Sequence, residues 1–210
     1  MKTLVLTQAS ETIQDVYAIT GPSIKEYALL HGYDFHNMSM TIEGLDGFKI
    51  FECASSYVGT YDTVLFIGCD SLVTNPIKPI MEYQCKTPIT ASLDWWTDSG
   101  YFSMGNYILR NTPLFGVLMH EYYLEKGNFP HEQDTINHVC KKFPWLASVL
   151  PNRALNAVPE AIRTSKAWSE SPRGTEEIRG LWQDGDFLMH VTGADNESRV
   201  RILNEYLDPS

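Results

Sequence analysis

"YDTVLFIGCDSLVTN", Tyr61 to Asn75, decides how this 210-residue chain folds. Val64 to Ile67 is an apolar run with β-branched and aromatic members, and it stops abruptly at Gly68-Cys69-Asp70-Ser71. That pattern reads as a buried strand ending in a polar lip. In an open α/β sheet ligands gather beyond the carboxyl ends of the strands, where a carboxylate such as Asp70 is placed to hold a metal or a ligand hydroxyl. The same Asp70, or Ser71, could instead cap the first turn of a following helix. The stretch alone leaves both readings open.

Outward from that strand, the order of elements sets the class. "KTLVLTQ" is a short first strand ending at the polar pair Thr7-Gln8. After a loop, Pro22 to Leu30 has helical spacing, with Ile24, Tyr27 and Ala28 on one face and Gly32 as its stop. "YDFHNMSM" forms a second strand, and Phe48 to Val58 a helix feeding the third, Thr63 to Ile67. Strand–helix–strand–helix–strand implies parallel pairing with right-handed crossovers. Further strands are expected in "TPITASLDWW", ending at Asp94, and in "SMGNYILRNTP". Helices follow in "LFGVLMHEYYLEKG" and "HEQDTINHVCKKF", then a short strand and turn in "WLASVLPNRALNAVP". Arg163 to Arg179 is poor in apolar residues and reads as a mobile loop, which with Trp168 could be a lid or equally an ordinary surface loop. "DFLMHVTG" supplies a strand ending at His190, and "SRVRILNEYL" a closing helix. Residues 1–210 are expected to form one α/β domain, with no internal repeat or linker.

Composition agrees with a globular protein: 43% hydrophobic, 12% aromatic and 20% charged residues. The net charge is −10 with no cluster of Lys or Arg, which argues against a nucleic-acid partner. A small anionic ligand would need local donors to offset that field. Cys53, Cys69, Cys85 and Cys140 are widely spaced, without a C-x-x-C pair, and read as free thiols in a reducing compartment. The apolar stretch near Met1 is too short for a signal peptide or a membrane span, which points to the cytoplasm.

Polar candidates recur at strand ends and helix starts: Asp70, Asp94, the trio Glu132-Gln133-Asp134, and His190. Each alone has an ordinary structural reading, as a turn, a cap favoured by the helix dipole, or a hydrogen-bonded core histidine. Their order along the chain says more. "TVLFIGCDSLVTN", "SMGNYILRNTP", "EQDTIN", "LPNRALN" and "GDFLMHVTG", with "EYALLHGYDF" and the Lys49-containing "FKIFECASSYVGTYDTVLFI" before them, resemble the motif series of GT-A fold glycosyltransferases. The likeness is to the retaining galactosyl/xylosyl/mannosyltransferase family of the fungal α-mannosyltransferase and plant xyloglucan xylosyltransferase type, with the glycogenin-like family next. It spans roughly residues 2 to 195.

The resemblance implies a Rossmann-like, mixed and mainly parallel sheet flanked by helices, and sugar transfer from a nucleotide sugar, UDP-sugar first, to a glycan or other hydroxyl acceptor. It implies Mn²⁺ or Mg²⁺ held by the second Asp of an Asp-x-Asp motif, here Asp70, and by the His of an H-x-x-G motif, here His190. It assigns nucleotide and sugar contacts to Thr7, Gln8, Lys49, Cys69, Ser103, Asn106 and Gly193. Catalytic positions around the sugar fall on Asp94, Gln133 and Asp134. Two positions depart from the pattern: Gly68 stands where the first Asp belongs, and Ser103 where Asn is usual. In retaining members the leaving phosphate takes the acceptor proton, so no covalent bond to Asp134 is required. Because starting directly in the first strand is unusual for anchored eukaryotic members, a bacterial or viral protein, or a trimmed catalytic domain, is expected. Gly68 motivates an alternative, a non-catalytic nucleotide-sugar or glycan-binding module. A nucleotidyltransferase ranks last, because "TQASETIQD" has no Gly-rich phosphate loop.

Overall fold

The computed structural model describes residues 1–38, 46–83, 85–171, 174 and 176–208. Six strands form one sheet in the order β2-β1-β3-β6-β5-β7. These are β1 (Thr3–Thr7), β2 (Asp34–Asn37), β3 (Thr63–Ile67), β5 (Ile89–Leu93), β6 (Phe102–Arg110) and β7 (Ala147–Leu150). β2, β1 and β3 are parallel, as are β5 and β7, and β6 runs antiparallel between β3 and β5. The mixed, mainly parallel sheet expected from the sequence is therefore present.

Period-two alternation explains the layers. Leu4, Leu6, Val64 and Phe66 face one side of the sheet, where they pack with Phe51 and Ala54 of α2 (Gly47–Ser56), Leu118 and Tyr122 of α3 (Phe115–Glu125), and Ile136 and Val139 of α4 (Glu132–Lys142). Val5, Leu65 and Ile67 face the other side, against Ile24, Tyr27 and Ala28 of α1 (Gln14–Leu30). Both faces are covered, which is why β1 and β3 read as unbroken apolar runs.

A two-stranded ribbon, β4 (Ser71–Val73) with β8 (Leu188–His190), stands beside the sheet. It packs into a third cluster with Val16, Trp95, Trp168, Ile202 and Leu203. The closing helix α7 (Asn196–Leu207) contributes the last two, and its N-terminus is capped by Asp195, whose Oδ1 accepts from Ser198 N at 2.9 Å.

Three expectations need correction. Residues 71–73 are a strand, so neither Asp70 nor Ser71 caps a helix. The first helix begins at Gln14, not Pro22, and Pro22 lies inside it. Val16, Thr20, Gly21, Ile24, Tyr27 and Ala28 form one buried stripe through it, and that burial outweighs the roughly 3 kcal/mol an interior proline costs a helix. The stretch 163–179 is not an unpacked loop over its described part. The short helix α6 (Lys166–Glu170) lies within it, and α5 (Asn152–Leu155) precedes it. Trp168 is 3% exposed and lies 4.4 Å, ring to ring, from Trp95, so it is core, not the face of a lid. The rest of that expectation, at residues 172, 173 and 175, and the end of the expected second strand, at 39 and 40, lie outside the described residues. Among the described residues no helix is long and apolar enough to cross a membrane.

Candidate active site

A cleft of about 730 Å³ opens beyond the carboxyl ends of the parallel strands, a size that suits a small-molecule ligand. Gln8 follows β1, Gly68 to Asp70 follow β3, Asp94 follows β5, and Ser103 to Gly105 begin the antiparallel β6. Glu132 and Gln133 enter from the first turn of α4. His190, Thr192, Gly193, Asn196 and Arg199 close the far wall.

The register of the ribbon brings Asp70 and His190 together. Ser71 pairs with His190 in the β4–β8 ladder, and Val191 N donates to Asp70 O at 2.9 Å. His190 Nε2 then lies 3.3 Å from Asp70 Oδ1. The other ring nitrogen, Nδ1, donates to Asn156 Oδ1 at 2.6 Å, while the Asn156 amide nitrogen donates to Leu93 O. Asn156 therefore fixes the ring's orientation, a positioning role that sequence gave no reason to assign. Arg199 is a third member, also unforeseen. Its NH2 lies 3.2 Å from Asp70 Oδ2, its Nε donates to Val191 O at 3.1 Å, and its NH1 donates to Asn196 Oδ1 at 3.0 Å. Burial pushes the Asp70 carboxyl up, but His190 and then Arg199 more than reverse this and hold it below the ordinary carboxylate range.

Two close approaches make this geometry possible. Gly68 N donates to Gly105 O at 3.0 Å and to Asn106 Oδ1 at 3.1 Å. A Cβ on Gly68 would sit 2.8 Å from Gly105 O and 3.0 Å from Asp70 Oδ1, and one on Gly105 would sit 2.3 Å from His190 Cε1. The departure at position 68 is thus built into the packing of β3 on β6.

A second polar set lines the opposite wall. Gln133 Nε2 donates to Asp94 Oδ2 at 2.9 Å, and Gln133 Oε1 accepts from Met104 N at 3.0 Å. Asp94 Oδ1 accepts from Trp95 N at 2.9 Å. Glu132 is beside them, its carboxyl raised by burial. The sequence names it in the polar trio at the helix start but assigns it no catalytic or binding role.

The remaining candidates divide. Gln8, Cys69, Ser103 and Gly193 line the cleft. Burial pushes the Cys69 thiol up to about 12, so it faces the cleft as a neutral group. Gln8 Oε1 is buried without a partner among the described residues. Thr7 and Asn106 are fully buried behind the wall, where Asn106 braces Gly68. Lys49 is exposed on α2, and its neighbour Ile50 reaches the cleft instead. Asp134 lies outside the cleft, lining adjoining cavities and accepting from the Tyr101 hydroxyl at 2.5 Å.

The manganese implied by the resemblance does not find a matching donor set. Mg²⁺ and Mn²⁺ favour six oxygen-rich ligands in octahedral array. Asp70 and His190 are two, Gly68 supplies none, and the second oxygen of Asp70 is already paired with a cation. Among the described residues no group of three His, Cys, Asp or Glu side chains converges as a metal site.

No protein-family model and no curated protein matches the sequence. Solved structures do match along the length of the chain. A glycosyltransferase involved in glycosylation of the major capsid of PBCV-1 is 17% identical, with 97% of this chain and 99% of that one aligned and a TM-score of 0.67. The galactosyltransferase LgtC, in complex with donor and acceptor sugar analogues, is 12% identical over 96% and 95% of the two chains, TM-score 0.52. Mouse xyloside xylosyltransferase 1 is 12% identical over 90% and 97%, TM-score 0.55. The chain has the GT-A fold that these glycosyltransferases share.

Proposed function

We propose that this chain is a glycosyltransferase that takes a sugar from a nucleotide sugar, UDP-sugar first, and delivers it to a hydroxyl of a glycan or similar acceptor. The observation that carries the reading is the convergence, in one cleft beyond the strand ends, of the Arg199 guanidinium and the His190 imidazole around Asp70 with a hydrogen-bonded Asp94–Gln133 pair. Breaking the bond from the anomeric carbon to a diphosphate puts negative charge on the leaving group and positive charge on the sugar. The two walls offer the opposite charges. Gln8 Oε1, buried and unpartnered, supports an N–H-bearing base such as uracil at the end of β1. Arg199 and His190 hold the diphosphate, and Asp94 and Gln133 face the ring. Transfer with retention follows if the departing phosphate oxygen takes the acceptor's hydroxyl proton on the same face, as the acceptor oxygen bonds to the anomeric carbon.

Calorimetry with a panel of UDP-, GDP- and ADP-sugars, followed by ³¹P NMR of donor cleavage, tests this. One nucleotide series is expected to bind and to be cleaved to the nucleoside diphosphate. Gln133→Ala is expected to cut cleavage by about 100-fold while leaving the affinity for the free nucleoside diphosphate within about two-fold. Binding without cleavage would favour the non-catalytic module that Gly68 motivates, and no binding would remove the reading.

A further inference from the structure

We infer that Arg199 takes the place of a divalent metal in this cleft, so that the chain holds the diphosphate of its donor with a guanidinium and an imidazole and needs no metal ion. The inference rests on the nucleotide-sugar reading above and says how that site binds its anion.

Four observations carry it. Asp70, the carboxylate a metal would need, already has a fixed cation on Oδ2 at 3.2 Å and the His190 ring on Oδ1 at 3.3 Å. A dication seated there would meet the guanidinium at contact distance in a cleft where charges are poorly screened. Position 68 cannot supply the missing carboxylate, because any Cβ there meets the backbone oxygen of Gly105 at 2.8 Å. Arg199 is also pre-organised. Two of its five N–H groups donate to Val191 O and Asn196 Oδ1, which fixes the plane of the fork. Its NH2 end is paired with Asp70 Oδ2 at 3.2 Å, which leaves the second N–H of each terminal nitrogen for a ligand. A rigid guanidinium fork suits two phosphate oxygens at once, which a point charge does not. Finally, Thr192, Gly193 and Asn196 line the same wall, so the start of α7 borders the space that the diphosphate would occupy.

The test is calorimetric titration of the whole chain with UDP, with GDP and ADP alongside, in EDTA and again in Mn²⁺, with thermal melts to verify folding of each variant. Wild type is expected to bind equally in both conditions. Arg199→Ala is expected to bind about 10- to 100-fold more weakly in EDTA, and to recover part of the loss in Mn²⁺ because Asp70 and His190 are then free to accept the ion. Arg199→Lys, which keeps the charge without the fork, is expected to bind in EDTA several-fold more weakly than wild type and serves if the alanine variant does not fold. Wild-type binding that appears only with Mn²⁺, or an unchanged affinity in the Arg199 variants, overturns the inference and leaves the nucleotide-sugar reading standing. No nucleotide binding in either condition overturns both.

Discussion

Asp70 is where the sequence posed its question, and its neighbours answer it. It is neither a helix cap nor one member of a carboxylate pair, but an ionised acceptor between His190 and Arg199. Its folded-state pKa is depressed. The stability it contributes is therefore present above the unfolded value of about 4 and is lost as pH falls below that through the folded value. Asp70→Asn is expected to be less stable than wild type at pH 7, with the difference closing in urea melts taken at successively lower pH below 4. A difference that stays constant would mean that the carboxylate charge is not what matters. Glu132 carries the opposite sign: burial raises its pKa, so ionisation opposes folding as pH rises through the folded value. Glu132→Gln is expected to raise the melting temperature at pH 7 and to have little effect at pH 4, and the reverse ordering would refute the buried-carboxyl account. At position 68 the crowding against Gly105 O makes Gly68→Asp destabilising, by about 1–3 kcal/mol as for other overpacked sites, and ineffective in recruiting Mn²⁺. Denaturant melts and a metal titration of that variant would show either failure.

Among the elements, legibility followed how regular the burial pattern was. β1 and β3 alternate between two helix layers and were plain in the sequence, as were α4 and α7. The first half of α1 was hidden because two of its inward positions are Thr20 and Gly21, which no apolar count registers. Thr20 is satisfied by donating to Cys69 O at 2.6 Å, a partner forty-nine residues away. β4 was hidden because three residues are too few to show a period, and its pairing with β8 depends on chain remote in sequence. That ribbon is what turns two motif residues, Asp70 and His190, into neighbours. The resemblance in motif order located them, whereas Arg199 belongs to no motif, and Asn156, the last residue of "LPNRALN", shows its role only through contact. The region of α6 was misread because its polar residues outnumber Trp168, yet that one ring anchors it. Trp168→Ala is expected to cost about 3–5 kcal/mol of stability. A variant as stable as wild type but slower in catalysis would favour a lid instead.

For the molecule as a whole, a chain with net charge −10 binding an anionic nucleotide must confine its attraction to a small, oriented pole. The Arg199 guanidinium supplies such a pole, set at the strand ends of a sheet whose both faces are covered by helices. Since only the folded chain assembles it, ligand binding and stability are linked. UDP at about 100 times its Kd is expected to raise the melting temperature by roughly 5–10 °C, and Arg199→Ala is expected to abolish most of that shift in EDTA. A thermal-shift series reads both. The most direct measurement is a crystal structure of the chain with UDP, grown in EDTA. The expected result is a diphosphate within hydrogen-bonding distance of Arg199 and His190, with the base against Gln8. A nucleotide bound elsewhere, or one that enters the cleft only when a metal ion bridges Asp70 and His190, would contradict it.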